Sequence, residues 1–135
     1  MPENRMLDHM SLVVADLPRS QRFYSAALAP LSIVQLVELS AEVTGSSAYA
    51  GFGAAGDMRS FFWIGTGTQP SGAVHVAFTA QTRAQVNAFY QAALAAGGKD
   101  NGPPGIRAHY HPDYYGAFVR DPDGHNIEAV CRAPG

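Results

Sequence analysis

The chain has 135 residues, of which 47% are hydrophobic and 15% are charged, and this length and composition predict one globular domain with its own core. Its nine Lys and Arg residues form no run and its net charge is −2, which argues against a nucleic-acid partner, and no apolar stretch reaches the roughly 20 residues of a membrane span. The N-terminal residues lack a signal-peptide pattern and the single Cys131 cannot form an internal disulfide, so we expect a cytoplasmic protein.

The first half of the chain predicts one strand, one helix and then three strands. Alternating apolar residues indicate a strand over 7–15, and Asp16 is a suitable N-cap for a helix over about 18–29 that Pro30 ends. Three further strands, separated by Gly and Ser residues, are predicted at 31–39, 47–53 and 59–65. The Gly-rich stretch 65–72 is typical of a linker.

The second half predicts the same order of elements. A strand ends near residue 80, and Thr82 is placed to cap a helix that runs to about residue 96 before two glycines. Three strands follow at about 99–107, 115–120 and 125–132. The first of these is interrupted by a Gly-Pro-Pro-Gly sequence, and the turn sequence Asp-Pro-Asp-Gly at 121–124 separates the last two.

The two halves are copies of one unit, related by an offset of 66 residues. FYSAAL at 23–28 and FYQAAL at 89–94 share five of six residues at this offset. Internal repetition of this kind indicates two copies of a supersecondary unit. We therefore expect an α+β fold in a single domain, in which two βαβββ repeats, at about 6–65 and 73–132, form a curled mixed sheet around a cavity with the helices outside.

Strand alternation predicts that three residues with metal-ligating side chains, His9, His75 and Glu128, face the same concave side. Two imidazoles and one carboxylate suit Fe, Mn, Ni or Zn as a divalent ion and leave coordination positions open for a substrate. The offset of 66 aligns Glu128 with Phe62, which cannot bind a metal, so at most three ligands come from these positions. Phe62 is predicted to form an apolar part of the substrate-binding wall. The alternative is that all three polar residues are structural.

A second cluster of aromatic and basic side chains lies at 107–115, between two late strands. A loop of this composition beside a cavity is suited to bind an anionic or aromatic substrate. The candidate substrate-binding residues are Arg107, His109 and Tyr114. His111 or Tyr115 could act as the catalytic proton-transfer group. The alternative is a turn whose tyrosines pack over the edge of the barrel.

Motifs along essentially the whole chain resemble those of the vicinal oxygen chelate superfamily, which includes glyoxalase I, bleomycin- and fosfomycin-resistance proteins and extradiol dioxygenases. The residues that carry the resemblance are LDHMSLVVAD at 7–16, Phe23-Tyr24, VHVAF at 74–78 and DPDGHNIE at 121–128. The resemblance implies metal ligands at His9, His75 and Glu128. Glyoxalase I has a fourth ligand where this chain has Phe62, so the resemblance points instead to the three-ligand fosfomycin-modifying transferases and extradiol dioxygenases.

The resemblance also implies a homodimer. A related dimer in the superfamily exchanges modules between its chains, and by this resemblance His9 comes from one subunit while His75 and Glu128 come from its partner.

We therefore expect a metal-dependent enzyme, a lyase, transferase or extradiol-type dioxygenase, that acts on a small oxygen-chelating substrate. The expected role of the divalent ion is to chelate two substrate oxygens and to stabilise the negative charge that develops on them. Two alternatives remain open. One is a metal-free protein that binds a small aromatic or cationic molecule, as bleomycin-resistance proteins do, and the other is an enzyme that cleaves a catechol ring with oxygen.

Overall fold

The structure is a computed structural model, and it describes residues 8–45, 47–67 and 74–135. In the described part of the first half, a short helix and a 3₁₀ turn accompany the expected elements. The helices and strands are β1 (Met10–Val13), α1 (Leu17–Leu28), β2 (Ile33–Leu39), α2 (Ala41–Thr44), β3 (Tyr49–Ala54) and β4 (Phe62–Gly65). The 3₁₀ turn, Ala29–Leu31, follows α1, and neither it nor α2 was predicted.

The second half has the same order, with one of its strands reduced to two short pieces. The elements are β5 (His75–Thr79), α3 (Arg83–Ala95), β6 (Lys99–Asp100), β7 (Gly105–Ile106), β8 (Tyr115–Arg120) and β9 (Asn126–Cys131). The strand predicted over 99–107 breaks between β6 and β7 because Pro103 and Pro104 have no N–H to donate to a neighbouring strand.

Both long helices begin at the predicted capping residues. The side chain of Asp16 accepts a hydrogen bond from the Arg19 N–H at 3.1 Å, and the side chain of Thr82 accepts one from the Gln85 N–H at 3.1 Å. These bonds satisfy amide donors that have no partner inside the helix.

The strands form two open mixed sheets, as the α+β prediction requires. In the described ranges, β1-β4-β3-β2 make one sheet, and β5-β9-β8-β6 make the other, with β7 also paired to β8. The first strand of each unit pairs in parallel with the last, and the remaining pairs are antiparallel. The prediction of an α+β fold with two related halves is confirmed.

One face of each sheet packs against the helices and forms a shared core. Tyr24 of α1 is fully buried and its ring lies 5.0 Å from that of Phe62. Phe62 in turn contacts Phe78 of the second sheet with ring centroids 5.1 Å apart. The other faces of the sheets remain available for a site. Among the described residues, no helix has the length and hydropathy needed to cross a bilayer.

The offset of 66 residues holds for the first strands of the two units but shifts by one residue at their last strands. Ser11 pairs with Trp63 in the first sheet, while Ala77 pairs with Glu128 in the second. Since Ser11 and Ala77 are 66 residues apart, the structural counterpart of Glu128 is Trp63 and not Phe62. A shift of one residue reverses the face of a strand residue. Phe62 therefore lies on the helix-packing side of β4, where its ring contacts that of Tyr24.

Candidate functional site

A polar pocket of about 510 Å³ lies on the face of the second sheet that points away from the helices. Its lining residues are His75, His109, Tyr110, Tyr114, Phe118, Glu128 and Arg132. His75 begins β5, and Glu128 lies in the middle of the neighbouring strand β9, where it is paired with Phe118 of β8. Alternation along β9 directs Glu128 to this face because Ile127 and Ala129 are buried in the core.

The carboxylate of Glu128 has a partner on each of its oxygens. Its Oε1 lies 2.9 Å from His75 Nε2, and its Oε2 accepts a hydrogen bond from the Tyr114 hydroxyl. The side chain of Glu128 is only 1% exposed, whereas that of His75 is 51% exposed. A buried carboxylate is thus held beside an imidazole that solvent and small molecules can reach.

The glycine at position 116 makes the Tyr114–Glu128 contact possible. A Cβ at this position would lie 3.2 Å from Glu128 Oε2 and 3.2 Å from Tyr114 Cε1, which is tighter than an ordinary van der Waals contact. Gly116 therefore leaves the space through which the phenol reaches the carboxylate.

The phenol of Tyr114 is a stable hydrogen-bond donor in this environment. Its burial first, and then its hydrogen bond to Glu128 and the negative charge of that group, raise the pKa of Tyr114 to about 12. The hydroxyl therefore stays protonated throughout the neutral range and donates a hydrogen bond to the carboxylate.

The donor atoms of His75 and Glu128 have the separation expected of neighbouring ligands on a metal ion. Two ligands at about 2.1 Å from an ion and at right angles to each other are about 3 Å apart. The observed distance between His75 Nε2 and Glu128 Oε1 is 2.9 Å. Within the described ranges, however, no three His, Cys, Asp or Glu side chains form a group that could hold a metal. The second half therefore supplies two of the three predicted ligands.

The third predicted ligand, His9, lies on the corresponding face of the first sheet. It lines a separate pocket with Ser11 and Trp63, so a single chain does not bring it to His75 and Glu128. Trp63 occupies the place that Glu128 has in the second sheet and cannot bind a metal. In the first sheet, a tryptophan therefore lies at the position where the second sheet has a carboxylate beside its imidazole.

The ring of His9 is oriented by its neighbour Asp8. His9 Nδ1 lies 2.9 Å from Asp8 Oδ1, and the other oxygen of Asp8 accepts from the Arg59 guanidinium. The hydrogen bond from His9 and then the ion pair with Arg59 lower the pKa of Asp8. A carboxylate that holds one ring nitrogen is the usual outer partner of a metal-binding histidine.

A third cavity, of about 250 Å³, lies between the two sheets and is mostly apolar. His9 lies at this cavity, and its walls include Phe62 and Phe78. Phe62 is therefore a buried core residue that lines this apolar cavity. It does not line the polar pocket around Glu128.

Of the predicted substrate-binding residues, His109 and Tyr114 line the polar pocket and Arg107 does not. The ring of His109 lies 4.1 Å from that of Tyr110. The Arg107 guanidinium donates to the carbonyl oxygens of Pro103, Gly105 and Gly116 at 2.8 to 3.1 Å. Arg107 therefore stabilises the loop beside the pocket, because its guanidinium N–H groups are bonded to backbone carbonyl oxygens.

The structure does not bring the two predicted proton-transfer residues to Glu128. His111 Nδ1 accepts from the Asp113 N–H at 3.0 Å within its own turn. The Tyr115 hydroxyl donates to Asn87 of α3 at 2.7 Å, and the Arg83 guanidinium lies 5.2 Å from the centre of its ring. Tyr115 thus points to the helix side of the sheet, because it is one residue out of phase with Tyr114.

Sequence reasoning missed three residues of the pocket, namely Tyr110, Phe118 and Arg132. Continued alternation from Glu128 along β9 predicts Arg132 on the same face, and alternation along β8 predicts Phe118 beside Glu128. The Arg132 guanidinium lies 4.9 Å from the centre of the Tyr114 ring. Within the described ranges, Arg132 forms no ion pair, and its charge lies in the pocket over the Tyr114 ring.

Comparisons with known proteins agree with this fold. A glyoxalase/bleomycin resistance protein from Albidiferax ferrireducens T118 is 32% identical, with a TM-score of 0.76, and the match covers 96% of this chain and 100% of that one. A mutant of glyoxalase I from Zea mays is 24% identical, with a TM-score of 0.71, over 92% of this chain and 46% of that one. No curated protein matches the chain significantly.

A mutant of the fosfomycin resistance protein FosX from Listeria monocytogenes, in complex with Mn(II) and 1S,2S-dihydroxypropylphosphonic acid, is 20% identical, with a TM-score of 0.65, over 92% of this chain and 87% of that one. At such low identity, this likeness and that to the maize enzyme show the fold alone. The model of the Glyoxalase/Bleomycin resistance protein/Dioxygenase superfamily matches residues 6–129, which is most of the chain. The chain therefore belongs to the Glyoxalase/Bleomycin resistance protein/Dioxygenase superfamily.

Proposed function

We propose that this chain is a metal-dependent enzyme that acts on a small substrate able to chelate an ion through oxygen atoms. The observation that carries the proposal is the pair formed by His75 Nε2 and Glu128 Oε1, 2.9 Å apart at the floor of an accessible pocket. This separation fits two neighbouring ligands of one divalent ion such as Fe, Mn, Ni or Zn.

In the proposed site, His9 of a second subunit completes the set of ligands, so the active form is a homodimer. Three features support this part of the proposal. His9 lies on the face of the first sheet that corresponds to the pocket face of the second, and Asp8 holds its ring as an outer partner holds a metal ligand. In the described part of the chain, His75 and Glu128 also have no third ligand beside them.

The bound ion would act as a Lewis acid that polarises substrate oxygens. The residues of the chain would position the rest of the substrate. Phe118 and Tyr110 form aromatic walls, and Arg132 offers a positive charge to an anionic group in the pocket. These features favour a small planar or anionic molecule over a cationic one.

The metal content of the purified protein tests the proposal. Protein isolated without a chelator and loaded with Mn(II), Fe(II), Ni(II) or Zn(II) should retain about one equivalent of ion per chain. His75→Ala and His9→Ala should each lose most of it because two ligands hold an ion far less tightly than three. His109→Ala is the matched control, since His109 lines the same pocket and is not a proposed ligand.

Less than about one tenth of an equivalent in the wild-type protein, with no change in the His75→Ala variant, would contradict the metal site. That result would favour the second candidate, a metal-free protein that binds a small molecule. One observation supports this candidate: both oxygens of Glu128 already have partners within the chain, His75 and Tyr114. Binding of aromatic anions to the metal-free protein would then be the measurement to make.

A further inference from the structure

We infer that Tyr114 is a positioning residue that reserves Oε2 of Glu128 and leaves Oε1, the oxygen beside His75, for the metal ion. The inference rests on the proposed function and adds a residue that is not itself a ligand. Its basis is the division of the carboxylate between two partners, with the phenol on one oxygen and the imidazole on the other.

The Tyr114 ring is held so that its hydroxyl points at the carboxylate. The Arg132 guanidinium lies 4.9 Å from the ring centre, and the ring of Tyr110 lies 5.0 Å away. Gly116 leaves the gap through which the ring approaches Glu128. The residue itself is only 8% exposed, so few other orientations are open to it.

The burial of Glu128 makes this partner necessary. A carboxylate that is 1% exposed loses its hydration, and an oxygen without a donor would be strongly unfavourable. Without the phenol, Oε2 would have no donor, and the carboxylate would lose the orientation that presents Oε1 to the ion. With the phenol in place, Glu128 contributes one oxygen and keeps one orientation. Outer partners of this kind change metal affinity by about ten- to a hundred-fold.

The affinity for Mn(II) alone, measured by the electron paramagnetic resonance signal of the unbound ion, tests the inference. Tyr114→Phe keeps the ring and removes the hydroxyl, and it should weaken Mn(II) binding by about ten-fold or more. Tyr115→Phe is the matched control because it is the same substitution at the next residue, whose hydroxyl donates to Asn87 on the helix side of the sheet. It should bind Mn(II) as the wild type does.

The outcomes separate this inference from the function on which it rests. If the wild type binds none of Mn(II), Fe(II), Ni(II) and Zn(II), the proposed metal site is wrong and this inference is wrong with it. If the wild type binds and Tyr114→Phe binds within about two-fold of it, only the role of Tyr114 is overturned.

A second measurement needs no folded Tyr114 variant. The infrared difference spectrum between Mn(II)-loaded and metal-free wild type, with Glu128→Gln to identify the bands of Glu128, reports how the carboxylate binds. A separation of its two stretching bands at least as wide as in the metal-free protein is expected, because ligation through one oxygen widens it while the Tyr114 hydrogen bond to the other oxygen limits the increase. The narrow separation of a carboxylate that binds through both oxygens would overturn the inference.

Discussion

The Tyr114 hydroxyl lies where its ionised form is unfavourable for two separable reasons. Burial is the largest single cause, and Glu128 adds to it, first through its hydrogen bond and then through its charge. Together they raise the pKa of Tyr114 from 10.0 to about 12. Because the folded state holds the phenolic proton more tightly than the unfolded state, this group stabilises the fold fully below pH 10.0, and the contribution is lost as the pH rises toward 12.

We expect the tyrosinate absorbance titration of wild type minus that of Tyr114→Phe to have a midpoint at about 12. Glu128→Gln should lower this midpoint part of the way toward 10.0, because the substitution removes the charge and leaves the burial. A wild-type midpoint near 10.0 would show that the phenol is not buried beside the carboxylate. A return to 10.0 in the Glu128→Gln protein would make the charge, and not burial, the main cause.

At the scale of elements, the turn between β8 and β9 ties the second half of the molecule to the first. Asp121 is 4% exposed, and its Oδ2 accepts a hydrogen bond from the Tyr24 hydroxyl of α1 at 2.5 Å. Asp123 accepts from the Ala15 N–H at 3.0 Å, just before that helix begins. His125 accepts from the Val74 N–H through Nδ1 at 3.1 Å. The turn therefore fixes the start of α1 against the second sheet.

Tyr24→Phe should destabilise the protein by about 1 to 3 kcal/mol in urea unfolding at neutral pH, because Asp121 would lose a buried donor. Tyr90→Phe is the internal control: it is the same substitution at the equivalent place in α3, and the Tyr90 hydroxyl bonds the exposed Asp100 at 3.0 Å. It should cause a markedly smaller loss. Equal losses in the two variants would show that the turn does not depend on the Tyr24 bond.

The same elements show what the sequence could predict. The helices and most strands were predictable because capping residues, turn sequences and the repeat all agree on them. The face of β4 was not, since the offset comes from the nearly identical helix segments at 23–28 and 89–94 and one residue of drift reverses a strand. Because of that drift, the repeat aligns Phe62 with Glu128, whereas the structural counterpart of Glu128 is Trp63. Tyr115 lies outside the polar pocket for a related reason, since Tyr114, one position earlier, occupies the pocket face.

At the scale of the whole molecule, the two sheets present unequal faces. The first carries His9 beside Trp63, and the second carries His75 beside Glu128. β1 and β5 are edge strands of their sheets. A two-fold dimer that sets the first sheet of one chain against the second sheet of the other would join one imidazole to one imidazole–carboxylate pair, and it would do so twice.

This arrangement predicts that two variants that cannot bind the ion on their own form one intact metal site when one chain of each is paired in a dimer. In a mixed dimer of His9→Ala and His75→Ala, one site loses both histidines and the other keeps both. We therefore expect the separate variants to bind almost no Mn(II), and the mixed dimer to bind about one ion per two chains. Co-expression with two different affinity tags, followed by purification over both, isolates the mixed dimer. Co-expressed His75→Ala and Glu128→Gln chains are the control, because both changes lie in the same half and every site in the mixed dimer stays defective. If the His9→Ala and His75→Ala dimer binds no more Mn(II) than this control, the site is not built across two subunits.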